Sequence, residues 1–448
     1  MKLIAILGSG ESGMGAAMLA KVKGYEVFLS EYGEISDLNK SKLIEAGVEF
    51  EEGGHSEKTI LNADLIIKSP GISPKIPVVL KAFEEGIAVI DELEFAYRYS
   101  TGRVIAITGT NGKTTTTLLT YHLLKEAGFD VGLAGNVGKS WAAQLIHTDR
   151  DWWVIECSSY QIDGFLSFKP SIAVLTNITP DHLDRYDYKF ENYVNSKLAL
   201  FKNLASNNCI VFNADDTNSV KAIATIKSGV SKHWFSMTAK SSSGGYLDGS
   251  TLRITSNERK TIIPLEILSI HGNHNLMNAL CAIIAATLAN VSEDNIVSAL
   301  RTFENAPHRM EQVLELAGVT YVNDSKGTNV ESTACALAAY NEPIIWIAGG
   351  VDKGNNYKLL QPYTSGIKAL ICLGKDNSKL KVAFGDSISE IRETEDIQEA
   401  VNWSKALAKP GDVVLLSPAC ASFDLFKNYE DRGDQFRNSV LNLNKATA

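Results

Sequence analysis

Between Ile105 and Thr117 the chain reads IAITGTNGKTTTT: an apolar run, a glycine-rich turn, then lysine and threonines opening a helix-like segment. Such a turn can hold phosphate. Gly109 and Gly112 let backbone amides wrap an anion, Lys113 brings a point charge, and the Thr114 hydroxyl suits a magnesium ion. Thr110, Asn111 and Thr115 complete the stretch. The longer phosphate loop, G-x-x-x-x-G-K-[ST], asks for glycine where this chain has Ile107. Ile107 therefore belongs to the strand, and the working loop is a shorter one that begins at Thr108-Gly109. The alternative is an ordinary glycine turn with a surface lysine. Gly-Lys-Thr at a strand-to-helix junction favours a nucleoside triphosphate.

Other stretches carry candidate chemistry. VIECSSYQID puts Glu156 at the end of an apolar strand, where a carboxylate can hold Mg2+ or simply pair with a neighbouring base. IAVLTNI runs into one short loop holding Asp181, His182, Asp184 and Arg185. Charged loops are usually just solvated, but this one follows a strand parallel to that of Glu156, which would let His182 converge on the same metal and phosphate. Lys197 lies a short helix further on, and its spacing alone reads as solvent-facing. Near the N-terminus, Gly8-Ser-Gly-Glu-Ser-Gly13 follows a strand and opens a helix. That suits a dinucleotide, the diphosphate of a nucleotide sugar, or a turn that binds nothing. In the last third, HRMEQV, NDSKGTN, AGGVDKG and SPACASFDLFKNYEDRG place Arg309, Asp324, Lys326, Thr328, Lys353, Ser422 and Tyr429 after apolar strands or in glycine turns. Lysines with hydroxyls there suit a dianionic small substrate, and equally a solvated sheet edge.

Positioning these residues takes more than one scaffold. Short apolar runs alternate with glycine turns and helical patterns, the α/β signature, and 448 residues exceed one ordinary core. The expected fold is three consecutive α/β domains with parallel-rich sheets. They are a Rossmann-like domain over residues 1–93, a central P-loop-type ATPase domain over 94–300, and a second Rossmann-like domain over 301–448. The polar insertion TAKSSSGGYLDGS is expected to be a surface hairpin or loop, and NLMNALCAIIAATLA a buried helix. A balance of 43 basic against 52 acidic residues argues against a nucleic-acid surface. The longest apolar stretch, residues 279–289, is too short to span a membrane. The N-terminal run LIAIL is too short for a signal-peptide core. Six cysteines with no C-x-x-C pair read as free thiols in a reducing cytoplasm. A cytoplasmic monomer with no membrane or nucleic-acid partner is expected.

GTNGKTTT, ECSSYQ, NITPDHLDRY, HGNHNLMNAL, HRME, NDSKGTN and SPACASFDLFKNYEDRG occur in the order and approximate spacing of the Mur ligase family, which the chain resembles from residue 8 to Arg432. The resemblance implies one domain for a UDP-sugar, one for ATP, and one that closes over an incoming amino acid. It implies an ATP-dependent carbon–nitrogen ligase working through an acyl phosphate, with UDP-N-acetylmuramoyl-L-alanine, D-glutamate and ATP as substrates and two Mg2+ ions. Lys113, His182 and Lys197 would then be catalytic. Thr114, Glu156, His182 and Lys197 would serve the metals, Lys197 as a carbamate formed with carbon dioxide. ATP would meet the loop from Gly109 to Thr115, with Asn275 and Asn278 at the adenine and Arg309 and Asp324 nearer the ribose and phosphates. The sugar nucleotide would meet Ser12, Ser69, Gly71, Asn136 and His182, and D-glutamate would meet Lys326, Thr328, Lys353, Ser422 and Tyr429.

The chain departs from the family pattern in places. Where strand two ends, the family often has Asp and this chain has Ser30-Glu31, so Glu31 is the candidate for the uracil contact. Tyr429 stands where Phe is more usual. Lysine in the amino-acid pocket favours an acidic substrate, and the Asn-Pro-Arg turn expected of a diamino-acid ligase is absent. The competing substrate readings are the L-alanine-adding and diamino-acid-adding ligases and the folylpolyglutamate synthetases. An NAD-dependent oxidoreductase built on the first glycine turn leaves the later motifs unexplained. A non-catalytic switch would have lost Lys113, Glu156, His182 or Lys197, and all four are present.

Overall fold

The runs LIAIL, RVIAIT, WWVIE and IIWIA are apolar without alternation, so each must be covered on both faces of a sheet. The computed structural model describes residues 2–226, 229–240, 243–256, 259–270 and 272–445, and places these runs as interior strands of three parallel-rich sheets. The first comprises β1 (Leu3–Leu7), β2 (Glu26–Glu31), β3 (Glu49–Glu52), β4 (Leu65–Lys68) and β5 (Val89–Ile90), all parallel, in the order β3-β2-β1-β4-β5. Chain order reverses between β1 and β4, the switch point at which open α/β sheets bind ligands.

The second sheet comprises β6 (Arg103–Thr108), β7 (Val131–Gly135), β8 (Trp152–Glu156), β9 (Ile172–Leu175), β10 (Cys209–Asn213), β11 (Ser231–Ser236), β12 (Gly244–Asp248), β13 (Thr251–Ser256) and β14 (Arg259–Pro264). Their order is β14-β13-β12-β11-β10-β9-β6-β8-β7, with β12, β13 and β14 an antiparallel meander at one edge. The polar insertion supplies β12 and its hairpin turn, apart from residues 241 and 242, which lie outside the described residues. The third sheet comprises β15 (Glu311–Leu316), β16 (Val319–Asn323), β17 (Ile344–Ala348), β18 (Ile367–Leu373), β19 (Ile391–Thr394) and β20 (Val413–Leu416). It is ordered β15-β16-β20-β17-β18-β19, with only β15 antiparallel. Successive residues of β17 and β20 serve opposite cores: Trp346 and Leu415 on one face, Ile345, Ile347 and Val414 on the other.

By contact the three sheets fall into two compact units. Residues Met1–Ser269 and Met277–Phe303 form the first, carrying two sheets, and Ile270–Leu276 and Glu304–Ala448 form the second. In the first unit one apolar core runs from Ile4 and Ile6 to Trp141, Trp153 and Phe168. Glu92 is sealed into it. Its Oε1 accepts from Ser140 Oγ at 2.8 Å and Ala142 N at 2.6 Å, yet burial pushes the carboxyl up to about 7. Between the ordinary carboxylate range and that value the folded chain keeps a proton that the unfolded chain has lost. Stability therefore falls as pH rises through this window, by roughly 3 kcal/mol in total. Glu92→Gln keeps an acceptor oxygen and is expected to abolish that slope, as read by urea unfolding at pH 5 and pH 7.5 followed by tryptophan fluorescence.

Candidate active site

β9, β6 and β8 are neighbours, with Thr108 opposite Leu175 and Ile107 opposite Glu156. Their carboxyl ends thus bring three elements to one edge: the glycine loop, the Thr176–Thr179 segment and Glu156. Both loop glycines are required sterically. Gly112, at φ +81°, caps the helix Lys113–Glu126, and a Cβ there would lie 2.2 Å from Asn278 Oδ1. A Cβ on Gly109 would lie 1.9 Å from Thr176 Oγ1.

The loop is pinned from the β9 side. Thr176 Oγ1 donates to Asn111 O at 2.6 Å, Asn177 Oδ1 accepts from Asn111 N at 2.9 Å, and Thr110 Oγ1 donates to Thr179 O at 3.0 Å. Four consecutive threonines, 114 to 117, are poor helix formers because their χ1 is restricted. All four are buried, so packing overrides propensity. Lys113 folds back over the loop, donating to Gly109 O at 3.0 Å and Thr110 O at 2.8 Å.

Lys197 reverses its solvent-facing expectation. It is 1% exposed, and its Nζ donates to Gly109 O at 2.7 Å. Burial first, then repulsion from Lys113, hold its pKa well below the ordinary lysine value. Tyr193, one helical turn earlier on Phe190–Leu198, faces the same loop: its hydroxyl is 3.1 Å from Thr110 Oγ1 and its ring lies 4.6 Å from Lys197 Nζ.

Glu156 is 1% exposed. Its Oε1 accepts from Asn136 Nδ2 at 2.8 Å, whereas Oε2 is buried without a partner among the described residues. A buried carboxylate oxygen left over in this way is a natural ligand for a cation, so the residue fits the magnesium role. His182 adopts φ +52°. Its Nδ1 lies 2.9 Å from the Tyr160 hydroxyl and its Nε2 3.7 Å from Asp181 Oδ2.

The candidate sugar-nucleotide residues are spread around this edge and the first sheet. Asn136 is engaged with Glu156. Ser69, half-buried just after β4, has a buried Oγ without a partner among the described residues and stands against Gly8 of the first turn. Ser12 is half-buried in the helix Glu11–Val22, and Gly71 is exposed. Glu31 is already occupied: its Oε2 accepts from Ser9 N at 2.7 Å and Ser9 Oγ at 2.8 Å, and its Oε1 from Gly33 N at 3.0 Å. Burial pushes its pKa up, and these hydrogen bonds outweigh that and hold it below the ordinary glutamate value. Glu31 therefore braces the glycine turn.

Asn278 sits against Gly112 and accepts from Thr116 Oγ1 at 3.4 Å. Asn275 is buried in the first turn of the same helix, Asn273–Leu288.

In the second unit, β16, β20 and β17 are adjacent, and the loops leaving their carboxyl ends carry Lys326 and Thr328, Ser422, and Lys353 in turn. Tyr429 opens the helix that follows, and Lys326 Nζ lies 3.7 Å above its ring. Lys353 is exposed, Thr328 half-buried and Ser422 buried. Asp324 is pushed up to about 7 by burial, opposed by Ser417 Oγ, which donates to it at 2.8 Å, and by the nearby Arg309 charge. Arg432 had no assigned role in the sequence. It is 1% exposed and clamps all three loops, donating to Ser325 O at 2.8 Å, Cys420 O at 3.3 Å and Gly349 O at 3.4 Å. Thr176, Asn177 and Tyr193 were missed as well. The only sequence signal for Tyr193 is its four-residue spacing from Lys197.

A phosphate loop with a buried carboxylate and a buried lysine on one sheet edge defines a nucleotide-dependent α/β enzyme. Models of the MurD N-terminal domain, the Mur ligase middle domain and the Mur ligase glutamate ligase domain match residues 3–78, 107–286 and 308–420. The chain belongs to the Mur ligase family. It is 46% identical to the UDP-N-acetylmuramoylalanine–D-glutamate ligase of Christiangramia forsetii, covering 99% of this chain and 100% of that one. It is also 46% identical to the enzyme of the same name from Cytophaga hutchinsonii, covering 98% and 99%. Among solved structures, a pseudomurein peptide ligase type C from Methanothermus fervidus shares the fold at TM-score 0.62 and 19% identity, covering 99% of this chain and 100% of that one. A MurF ligase from Thermotoga maritima in complex with ADP does so at TM-score 0.61 and 14% identity, covering 94% and 96%. Among the described residues no helix is long and apolar enough to cross a membrane.

Proposed function

We propose that the chain is an ATP-dependent ligase that adds D-glutamate to UDP-N-acetylmuramoyl-L-alanine, a cytoplasmic step of peptidoglycan precursor synthesis, and that it works as a monomer. The end-to-end likeness to two D-glutamate ligases carries the choice of substrates. The proposed division of labour is residues 1–93 for the sugar nucleotide, 94–300 for ATP and 301–448 for the amino acid.

A carboxylate cannot be aminated directly, because oxide and hydroxide are poor leaving groups. The substrate carboxylate therefore takes the γ-phosphoryl group of ATP, giving an acyl phosphate and ADP. The D-glutamate amine then attacks the carbonyl, loses a proton, and phosphate leaves. Lys113 and the amides of residues 109–115 would neutralise charge on the transferring phosphoryl group. Asn275, Asn278, Arg309 and Asp324 would bind the rest of ATP. Ser12, Ser69, Gly71, Asn136 and His182 would hold the sugar nucleotide, and Lys326, Thr328, Lys353, Ser422 and Tyr429 the D-glutamate.

Mg2+ would be held by Thr114, Glu156, His182 and a carbamylated Lys197, and would supply Lewis-acid stabilisation of charge on the phosphoryl groups. The orphan Oε2 of Glu156 supports the metal. The burial of Lys197 supports the carbamate, since carbon dioxide reacts only with a neutral amine. The deciding assay measures ADP release with each of the three substrates omitted in turn. Release is expected only with all three, and release with L-alanine plus UDP-N-acetylmuramate but not with D-glutamate would overturn the assignment.

A further inference from the structure

Tyr160 and Arg185 have no role in the chemistry above, yet they connect two of its parts. The Tyr160 hydroxyl lies 2.9 Å from His182 Nδ1, and the two rings are 5.1 Å apart. Arg185 lies across the other ring, its guanidinium carbon 4.5 Å from the Tyr160 centroid. The same guanidinium donates to Ile72 O at 2.8 Å and Pro70 O at 3.3 Å, the turn that carries Ser69 and Gly71. Arg185 Nε and Asp91 Oδ2 are buried without partners among the described residues. Both residues line one cavity of about 40 Å3, together with Lys68 and Asp163, which is room for bridging water. Arg185 is thus tethered on two sides, to the 69–72 turn and to the Tyr160 ring, and borders this polar cavity.

His182 is held in an uncommon backbone conformation, φ +52°, where a side chain is not kept in place by ordinary strand or helix packing. With Nδ1 engaged by Tyr160, any metal-side or phosphoryl-side role of the imidazole must use Nε2. A partner on the second ring nitrogen is what orients such a histidine and selects its tautomer. We propose that Tyr160 is a positioning residue for His182, held in turn by Arg185, which ties the histidine to the sugar-nucleotide turn at residues 69–72. This rests on the ligase reading for its kinetic consequence, while its structural half does not.

Tyr160→Phe removes only the hydroxyl and keeps the ring under Arg185. It is expected to lower kcat by about 10- to 100-fold, with KM for the sugar nucleotide and D-glutamate unchanged within about twofold and the half-saturating Mg2+ concentration raised. Arg185→Ala is expected to lower kcat similarly, and the double variant to be no slower than the worse single one. The 15N signals of His182, assigned with His182→Gln, are expected to pass from one tautomer in the wild-type chain to a mixture in Tyr160→Phe. An unchanged kcat, a rise in KM with a falling melting temperature, multiplicative losses in the double variant, or unchanged His182 signals would each overturn the proposal. A wild-type chain that releases no ADP would instead sink the ligase reading, and the nitrogen signals would still decide the role of Tyr160.

Discussion

Lys197→Met is expected to lower ADP release by more than about 10^3-fold while leaving the melting temperature at or above that of the wild-type chain. The pairing of these effects is the point. Lys197 is buried against the phosphate loop, with one hydrogen bond to Gly109 O and its ammonium form disfavoured by burial and by Lys113. Between its depressed folded value and the ordinary lysine pKa, the unfolded chain binds a proton there that the folded chain does not. The residue therefore costs stability at neutral pH, and the cost fades as pH rises toward that pKa. Methionine fills similar volume without the cost. A residue that weakens the fold and abolishes turnover when replaced is kept for chemistry. Intact-mass measurement of the wild-type chain should show one added carbon dioxide, lost in the variant. Full activity in Lys197→Met would remove both the carbamate and the catalytic role.

Lys113→Ala is expected to lower kcat by about 10^2- to 10^3-fold, the usual loss when one preorganised charge at a phosphoryl-transfer site is removed. It should also act at a distance. Lys113 is the second-largest cause of the depressed pKa of Lys197. Removing it makes Lys197 easier to protonate, and an ammonium cannot react with carbon dioxide. The added carbon dioxide in the mass spectrum should therefore diminish in Lys113→Ala, and the double variant Lys113→Ala/Lys197→Met should be no slower than Lys197→Met alone. Fold losses that simply multiply would show that the two lysines act independently.

Much of this architecture was legible in the linear chain. Apolar runs without alternation announce buried parallel strands, and Gly-Lys-Thr after such a run announces the loop; RVIAIT-GTNGKT is both. Glu156 and His182 were singled out because each follows an apolar strand, and ligands of α/β sheets gather beyond the carboxyl ends of the strands. Lys197 was different. Its helix Phe190–Leu198 is only weakly patterned, and a lysine among polar neighbours looks solvent-exposed; the family resemblance singled it out where periodicity did not. Glu31 reads as a free acid beside a ligand site, whereas its carboxylate also braces the first glycine turn by accepting from Ser9 and Gly33. Arg432, 107 residues from Ser325, clamps three loops whose proximity no local pattern could reveal.

The residue types and their order along the chain were sufficient for the strands, the glycine loop and the family. Those depend on backbone preference and on hydrophobic pattern, which act over a few residues at a time. Which polar groups are buried, and against what, came from folding alone. The positions of Lys197 Nζ on Gly109 O, of the orphan Glu156 Oε2 and of Tyr160 on His182 each depend on strands far apart in sequence becoming neighbours in one sheet. Burial then turns ordinary side chains into reactive or oriented ones, because a charge taken out of water must find a partner or change its protonation.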